Sequence, residues 1–149
     1  VVNVKILLAV DGSDYTIKAV DFLITHFDSF KNATELHLLH VKLPIPAGLA
    51  GGRVHELLGQ TVIDSYYKEE AERILAPAEE LLLAAGIPFQ SHYRVGDVAE
   101  EIRLYASKSM IDMIVIGSHG LGAIRSLVMG SVATKVLATT MPIPVLIVR

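Results

Sequence analysis

Met113-Ile114-Val115-Ile116-Gly117-Ser118-His119-Gly120-Leu121-Gly122, with Gly130-Ser131 a short way downstream, is the stretch on which the fold turns. Its apolar start, 113 to 116, reads as the C-terminal end of a buried strand, where open α/β sheets bring their ligands. Gly117 and Gly120 follow directly, and a missing side chain there lets backbone N–H groups come close to an anion. Gly130-Ser131 opens a periodic segment, Val132, Val136 and Leu137, so Ser131 is expected as the N-cap of a helix whose positive end faces the same crevice. Two backbone anion sites would then converge.

Outward from this stretch, strand-like runs lie at Val4 to Val10, Leu36 to Val41, Ile87 to Arg94, Met110 to Gly117 and Ile143 to Val148. Helical patterns separate them. Ile17, Val20, Ile24 and Phe27 mark one stripe; Ala71, Ile74, Ala78, Leu81 and Ala85 mark a longer one that Pro77 is expected to kink or break. Asp97 is the expected cap of a third helix, with Glu100 completing a capping box. Strand alternating with helix predicts an α/β fold with an open five-stranded parallel sheet and helices on both faces. The segment from Lys42 to Gly59, rich in Pro and Gly, is read as a long exposed connection, with a lid over the ligand as the alternative.

The 149 residues fit one domain, 1-149, able to bury roughly 70% of its unfolded surface without disulfides. With no cysteine, thiol nucleophiles and thiolate metal sites are excluded. A net charge of −3 without a Lys/Arg cluster argues against a nucleic-acid surface. No apolar run is long enough to span a membrane, and no signal peptide is recognisable, so a cytoplasmic location is the expectation.

The glycine spacing is G-x2-G-x9-G-S, here Gly117, Gly120 and Gly130-Ser131. With the opening Lys5-Ile6-Leu7-Leu8-Ala9-Val10-Asp11-Gly12-Ser13, the middle Val95-Gly96-Asp97-Val98-Ala99-Glu100 and the closing Pro144-Val145-Leu146-Ile147-Val148, it resembles the universal stress protein family, in particular its ATP-binding subgroup. The resemblance implies a Rossmann-like sheet of the adenine nucleotide alpha hydrolase-like kind in the order 3-2-1-4-5. It implies ATP, with Mg2+ held on the phosphates, over Ile116, Gly117, Ser118, His119, Gly120, Gly130, Ser131, Val132 and Ala133. Val41 would meet the adenine edge, with Ala9 and Val10 lining the same wall; core packing is the other reading of these three. A homodimer through the C-terminal strand Ile143 to Val148 is implied as well. Departures are Leu121, where many members carry a basic residue, and Ala133, where some carry a hydroxyl.

Asp11 has two leading readings, an acceptor for ribose hydroxyls or a cap for the following helix, with direct metal binding a poorer third because a lone carboxylate is a thin cation site. His119 either offers its imidazole to phosphate or contributes only its backbone N–H. Arg125 is the one nearby cation within reach of the β or γ phosphate, and a solvated arginine is its alternative reading. The remaining histidines lack carboxylate or cysteine neighbours at ligand spacing, and His37 and His40 fall on opposite faces of a strand, so no metal site is expected. No phosphate-loop G-x4-G-K-[ST], G-x-S-x-G elbow or H-E-x-x-H helix is present. The expected function is therefore a nucleotide-dependent binding module in the stress response, with at most slow ATP turnover. An enzyme acting on ATP and a nucleotide-free interaction protein are the alternatives.

Overall fold

The computed structural model describes residues 3–26, 34–45, 52–121, 129–139 and 141–149. Along the chain lie β1 (Val4–Ala9), α1 (Asp14–His26), β2 (Thr34–Lys42), α2 (Gly52–Ala84), β3 (Gln90–Val95), α3 (Val98–Lys108), β4 (Met113–Gly117), α4 (Ser131–Leu137) and β5 (Val145–Val148). All strand pairs are parallel and the sheet order is β3-β2-β1-β4-β5, as the family resemblance implied.

Alternation along the central strands divides the core in two. Ile6 and Leu8 of β1 and Leu36 and Leu38 of β2 pack with Ala19, Val20 and Leu23 of α1 and Ala71, Leu75, Ala78 and Leu82 of α2. On the other face Leu7, Leu39, Val41, Ile114 and Ile116 pack with Ala99, Ile102, Tyr105 and Ala106 of α3 and Ala133 and Val136 of α4. Burial of both faces explains why the strands read as near-continuous apolar runs. Among the described residues no helix is long and apolar enough to cross a membrane.

Three expectations on element boundaries are corrected. Helix α2 begins at Gly52, so much of the expected connection is helical; its one non-helical residue is Gly59, at φ 73 and ψ 162. Residues 46–51 of that connection lie outside the described residues. Pro77 does not end α2, which runs on to Ala84. The ring removes one donor, but Pro77 and Arg73 are both on the exposed side while Ala71, Leu75, Ala78 and Leu82 hold the helix to the sheet.

The third correction concerns strand starts: β3, β4 and β5 begin at Gln90, Met113 and Val145. Met110 belongs instead to the end of α3, where Ile111 N donates to Ala106 O at 2.9 Å and Met110 N to Ser107 O at 3.3 Å. This is the paired-bond ending that places one residue in the left-handed region. Met110 takes that position at φ 53. Helix α2 ends in the same way, with Gly86 at φ 70 and bonds from Gly86 N to Leu83 O and from Ile87 N to Leu82 O, both 3.0 Å. At its start α3 is capped as expected, Asp97 Oδ1 accepting from Glu100 N at 3.0 Å. The Glu100 carboxylate, however, pairs with Arg103 rather than closing the box.

These two helix ends predict opposite mutational signs. Met110→Gly, at an exposed side chain, is expected to raise stability by up to about 1 kcal/mol, and Gly86→Ala to lower it by about 1–2 kcal/mol. Urea unfolding of the two variants beside the parent checks both.

Candidate functional site

Strand order reverses between β1 and β4, and the chain leaves them toward opposite faces, into α1 on one side and toward α4 on the other. The crevice at their C-terminal ends is the usual ligand position of such sheets. Asp11, Gly117, Ser118, His119, Gly120 and Gly130 gather here.

Asp11 follows β1 with its carboxylate divided between two environments. Oδ1 accepts from Ser13 N at 2.9 Å and from Thr16 Oγ1 at 2.8 Å, while Thr16 Oγ1 in turn accepts from Asp11 N at 3.2 Å. The capping reading therefore holds for Oδ1. Oδ2 has no hydrogen-bond partner among the described residues and lies against Gly120, where a Cβ would stand 2.9 Å from it. Gly12, at φ 81, makes the turn into α1, a conformation that a side chain disfavours.

After β4, Ser118 N donates to Val148 O at 2.7 Å and extends the ladder with β5. Ser118 is buried, and its Oγ is 2.9 Å from His119 Nδ1. The His119 ring lies against Tyr15, with centroids 5.0 Å apart. Gly117 is required by packing: a Cβ there would stand 2.7 Å from Tyr15 Cβ, so the glycine admits the first turn of α1.

The second glycine cluster closes onto the first. Gly130 N donates to Ser118 O at 2.6 Å, and a Cβ on Gly130 would stand 3.1 Å from both His119 Cα and Ser118 O. The two segments read as converging thus touch through their backbones. The cap expected of Ser131 belongs to Gly130, which has extended φ/ψ and no side chain to offer. Ser131 is the first helical residue and is exposed. Helix geometry leaves the N–H groups of Ser131, Val132 and Ala133 without acceptors inside α4. Thr134 does not add a hydroxyl to the crevice, since its Oγ1 donates to Gly130 O at 2.8 Å.

Ala9, Val41, Ile116, Val132 and Ala133 share the face that carries α3 and α4. Val10 does not join them: its side chain packs on the α1 and α2 face. A single wall of Ala9 and Val10 is thereby overturned by strand alternation. The Val10 backbone is spent too, its N donating to Leu39 O at 2.9 Å and its O accepting from His40 Nδ1 at 2.8 Å. Since a carbonyl only accepts, that bond puts a hydrogen on His40 Nδ1, and the buried Nε2 has no partner. Arg125 and Gly122 lie outside the described residues.

One cluster escaped the reading of isolated histidines. His37 Nε2 lies 2.7 Å from Glu35 Oε1, and His37 Nδ1 lies 2.6 Å from Tyr105 OH. A carboxylate two residues before a histidine in a strand shares its face, so that spacing carried the signal. The hydrogen bond from His37, aided by Lys5, holds the Glu35 carboxyl below its usual range against the opposing effect of burial.

The sequence pattern of the Universal stress protein family matches residues 3–149. The universal stress protein YxiE of Bacillus subtilis (strain 168) is 34% identical over 152 residues, covering 97% of this chain and 98% of its own. Among solved structures, hypothetical protein MJ0577 superposes with a TM-score of 0.75 at 27% identity, covering 99% of this chain and 96% of that one. The universal stress protein of Archaeoglobus fulgidus, solved in complex with dAMP, superposes with a TM-score of 0.65 at 23% identity over the full length of both chains.

Contact between Gly130 and the Ser118–His119 backbone predicts a stability difference between neighbours. Gly130→Ala is expected to cost about 1–3 kcal/mol because backbone must move. Ser131→Ala, at an exposed position, stays within about 0.5 kcal/mol of the parent. Denaturant titration of the two proteins measures the contrast.

Proposed function

The chain belongs to the universal stress protein family, and from that premise we propose that it binds an adenine nucleotide, ATP first among them, in the crevice between β1 and β4. The observation that carries this reading is the hydrogen bond from Gly130 N to Ser118 O, which brings two glycine segments to one point without a side chain between them. Phosphates would lie over Gly117 to Gly120 and Gly130-Ser131, against backbone N–H groups and the first turn of α4. The apolar wall of Ala9, Val41 and Ile116 would take the base, and Asp11 Oδ2 would accept from a ribose hydroxyl. The dAMP complex of the Archaeoglobus fulgidus relative supports an adenine ligand for this fold.

Mg2+ would be held mainly by phosphate oxygens. Among the described residues no three His, Asp or Glu side chains cluster to hold a cation, and Asp11 offers one unspent carboxylate oxygen. Turnover requires a positioned base and donors aimed at the transferring phosphoryl group. Asp11 Oδ1 is committed to Ser13 and Thr16, and His119 Nδ1 to Ser118. The reading is accordingly a binding module whose nucleotide sets conformation or partner choice, in the cytoplasm and with no nucleic acid as partner.

A homodimer completes the proposal. Among the described residues β5 hydrogen-bonds to β4 alone, and its ladder uses the Pro144 and Val148 carbonyls. In a parallel pair the N–H and C=O of one residue point to the same side, so those of Val145 and Ile147 face outward. All four β5 side chains are apolar and half-buried. An open apolar edge of this kind is covered by pairing, here with its own copy about a two-fold axis.

Calorimetric titration with ATP, AMP and dAMP tests the site. Binding is expected for the parent, with about tenfold weaker affinity in Asp11→Asn, which keeps an acceptor at Oδ1 and replaces Oδ2 by a donor. No heat with any adenine nucleotide would remove the reading. Product formation far below about 10 per second is expected with Mg2+-ATP. For the dimer, sedimentation should give twice the chain mass for the parent and the chain mass for a folded Ile147→Pro, which lacks the outward donor. A parent that sediments as a monomer at micromolar concentration overturns that interface.

A further inference from the structure

The Glu35–His37–Tyr105 chain continues to a second imidazole. His92 of β3 stacks on His37 with centroids 5.8 Å apart and planes 23° apart, and it meets the Tyr105 ring at 5.4 Å. Its Nε2 is 3.4 Å from Gln90 Oε1, and Gln90 Nε2 donates to Glu35 Oε1 at 3.3 Å. Arg94, from the same strand, lies over the Tyr105 ring at 5.5 Å. Three elements, β2, β3 and α3, are pinned together by two imidazoles, one carboxylate and one phenol.

The two imidazoles have unequal routes to a proton. With Glu35 ionised, His37 Nε2 carries a hydrogen and donates to it, while Nδ1 accepts from the Tyr105 hydroxyl. A further proton on Nδ1 leaves both contacts intact once the phenol turns its hydrogen away, and the Ser109 side chain is within hydrogen-bonding reach. A proton on His37 is therefore placed beside a carboxylate. Among the described residues His92 meets no carboxylate: from β2 it faces His37, from its own strand Arg94 and the neutral Gln90, and from α3 the Tyr105 phenol. Glu101 of α3 sits instead at the Gly96 turn, and Lys5 of β1 acts on Glu35.

We propose that His37 and His92 form an acid-operated latch on the edge strand, closed while at most one imidazole is charged and released when both are. With both charged, His37, His92 and Arg94 place three cations around Tyr105 against the one carboxylate of Glu35. Stacked cations repel, and among the described strands β3 is paired with β2 alone. Release loosens Gln90–Val95 and, through the bond from Gly96 N to Lys42 O at 2.9 Å, the end of β2 that carries Val41.

Burial first, then the neighbouring His37 and Arg94 charges, lower the His92 pKa from its ordinary 6.5. A depressed histidine contributes stability that is complete above the unfolded value and lost as pH falls through the folded one. The latch therefore opens on the acid side of 6.5, and it needs no ligand at the crevice.

Amide hydrogen exchange of the full chain, expressed as protection factors between pH 7.5 and 5, tests it. Protection of the β3 amides is expected to fall severalfold more than that of β1 in the parent. In His92→Phe, which keeps the stacked ring without its proton, β3 and β1 should move together. His92→Gln makes the same comparison if the Phe variant fails to fold. Equal acid loss in parent and variant, or β3 and β1 falling together in the parent, would each overturn the latch.

Discussion

Strand β1 is the constraint on which the other elements depend. It is the only strand flanked by two others that the chain reaches in opposite directions, and Leu7 and Leu8 are both fully buried, one on each face. A residue pair with no exposed surface on either side of a sheet requires helices on both faces, which is met by α1 and α2 on one and α3 and α4 on the other. Reversal of strand order beside β1 then opens the crevice, and its last residues, Ala9, Val10 and Asp11, pass directly into the candidate site. Stability and site are thus set by one strand.

Legibility from sequence followed physical range. Element type was readable wherever burial imposes a period: the apolar runs of β1, β2 and β4, the α1 stripe and the Asp97 cap all record local rules. Boundaries failed where a neighbour decided them. Met110 looks like the first residue of an apolar strand, yet its position is set by the carbonyls of Ala106 and Ser107, which draw the chain into a left-handed turn. Pro77 looks like a breaker, yet the buried stripe from Ala71 to Leu82 outweighs one missing donor.

The candidate site divides in the same way. Convergence of the two glycine segments was legible because spacing after a strand and before a helix fixes direction. The reasons for individual glycines were not: Gly117 answers to Tyr15, and Gly130 to the backbone of Ser118 and His119. Asp11 resolves into two half-roles, Oδ1 structural and Oδ2 unspent, a distinction that belongs to atoms rather than residues. The Glu35–His37 pair was within reach of the period-two rule, but its continuation to Tyr105 and His92 joins residues far apart in the chain.

The two margins of the sheet are unlike. One, β3, carries Gln90, His92 and Arg94; the other, β5, is Val-Leu-Ile-Val. A particle with a single adhesive margin uses it up in its first encounter, whereas two such margins would propagate end to end into a fibre. With the pairing proposed for β5, this asymmetry would limit valence: assembly through the sheet would stop at two, without strand-by-strand polymerisation.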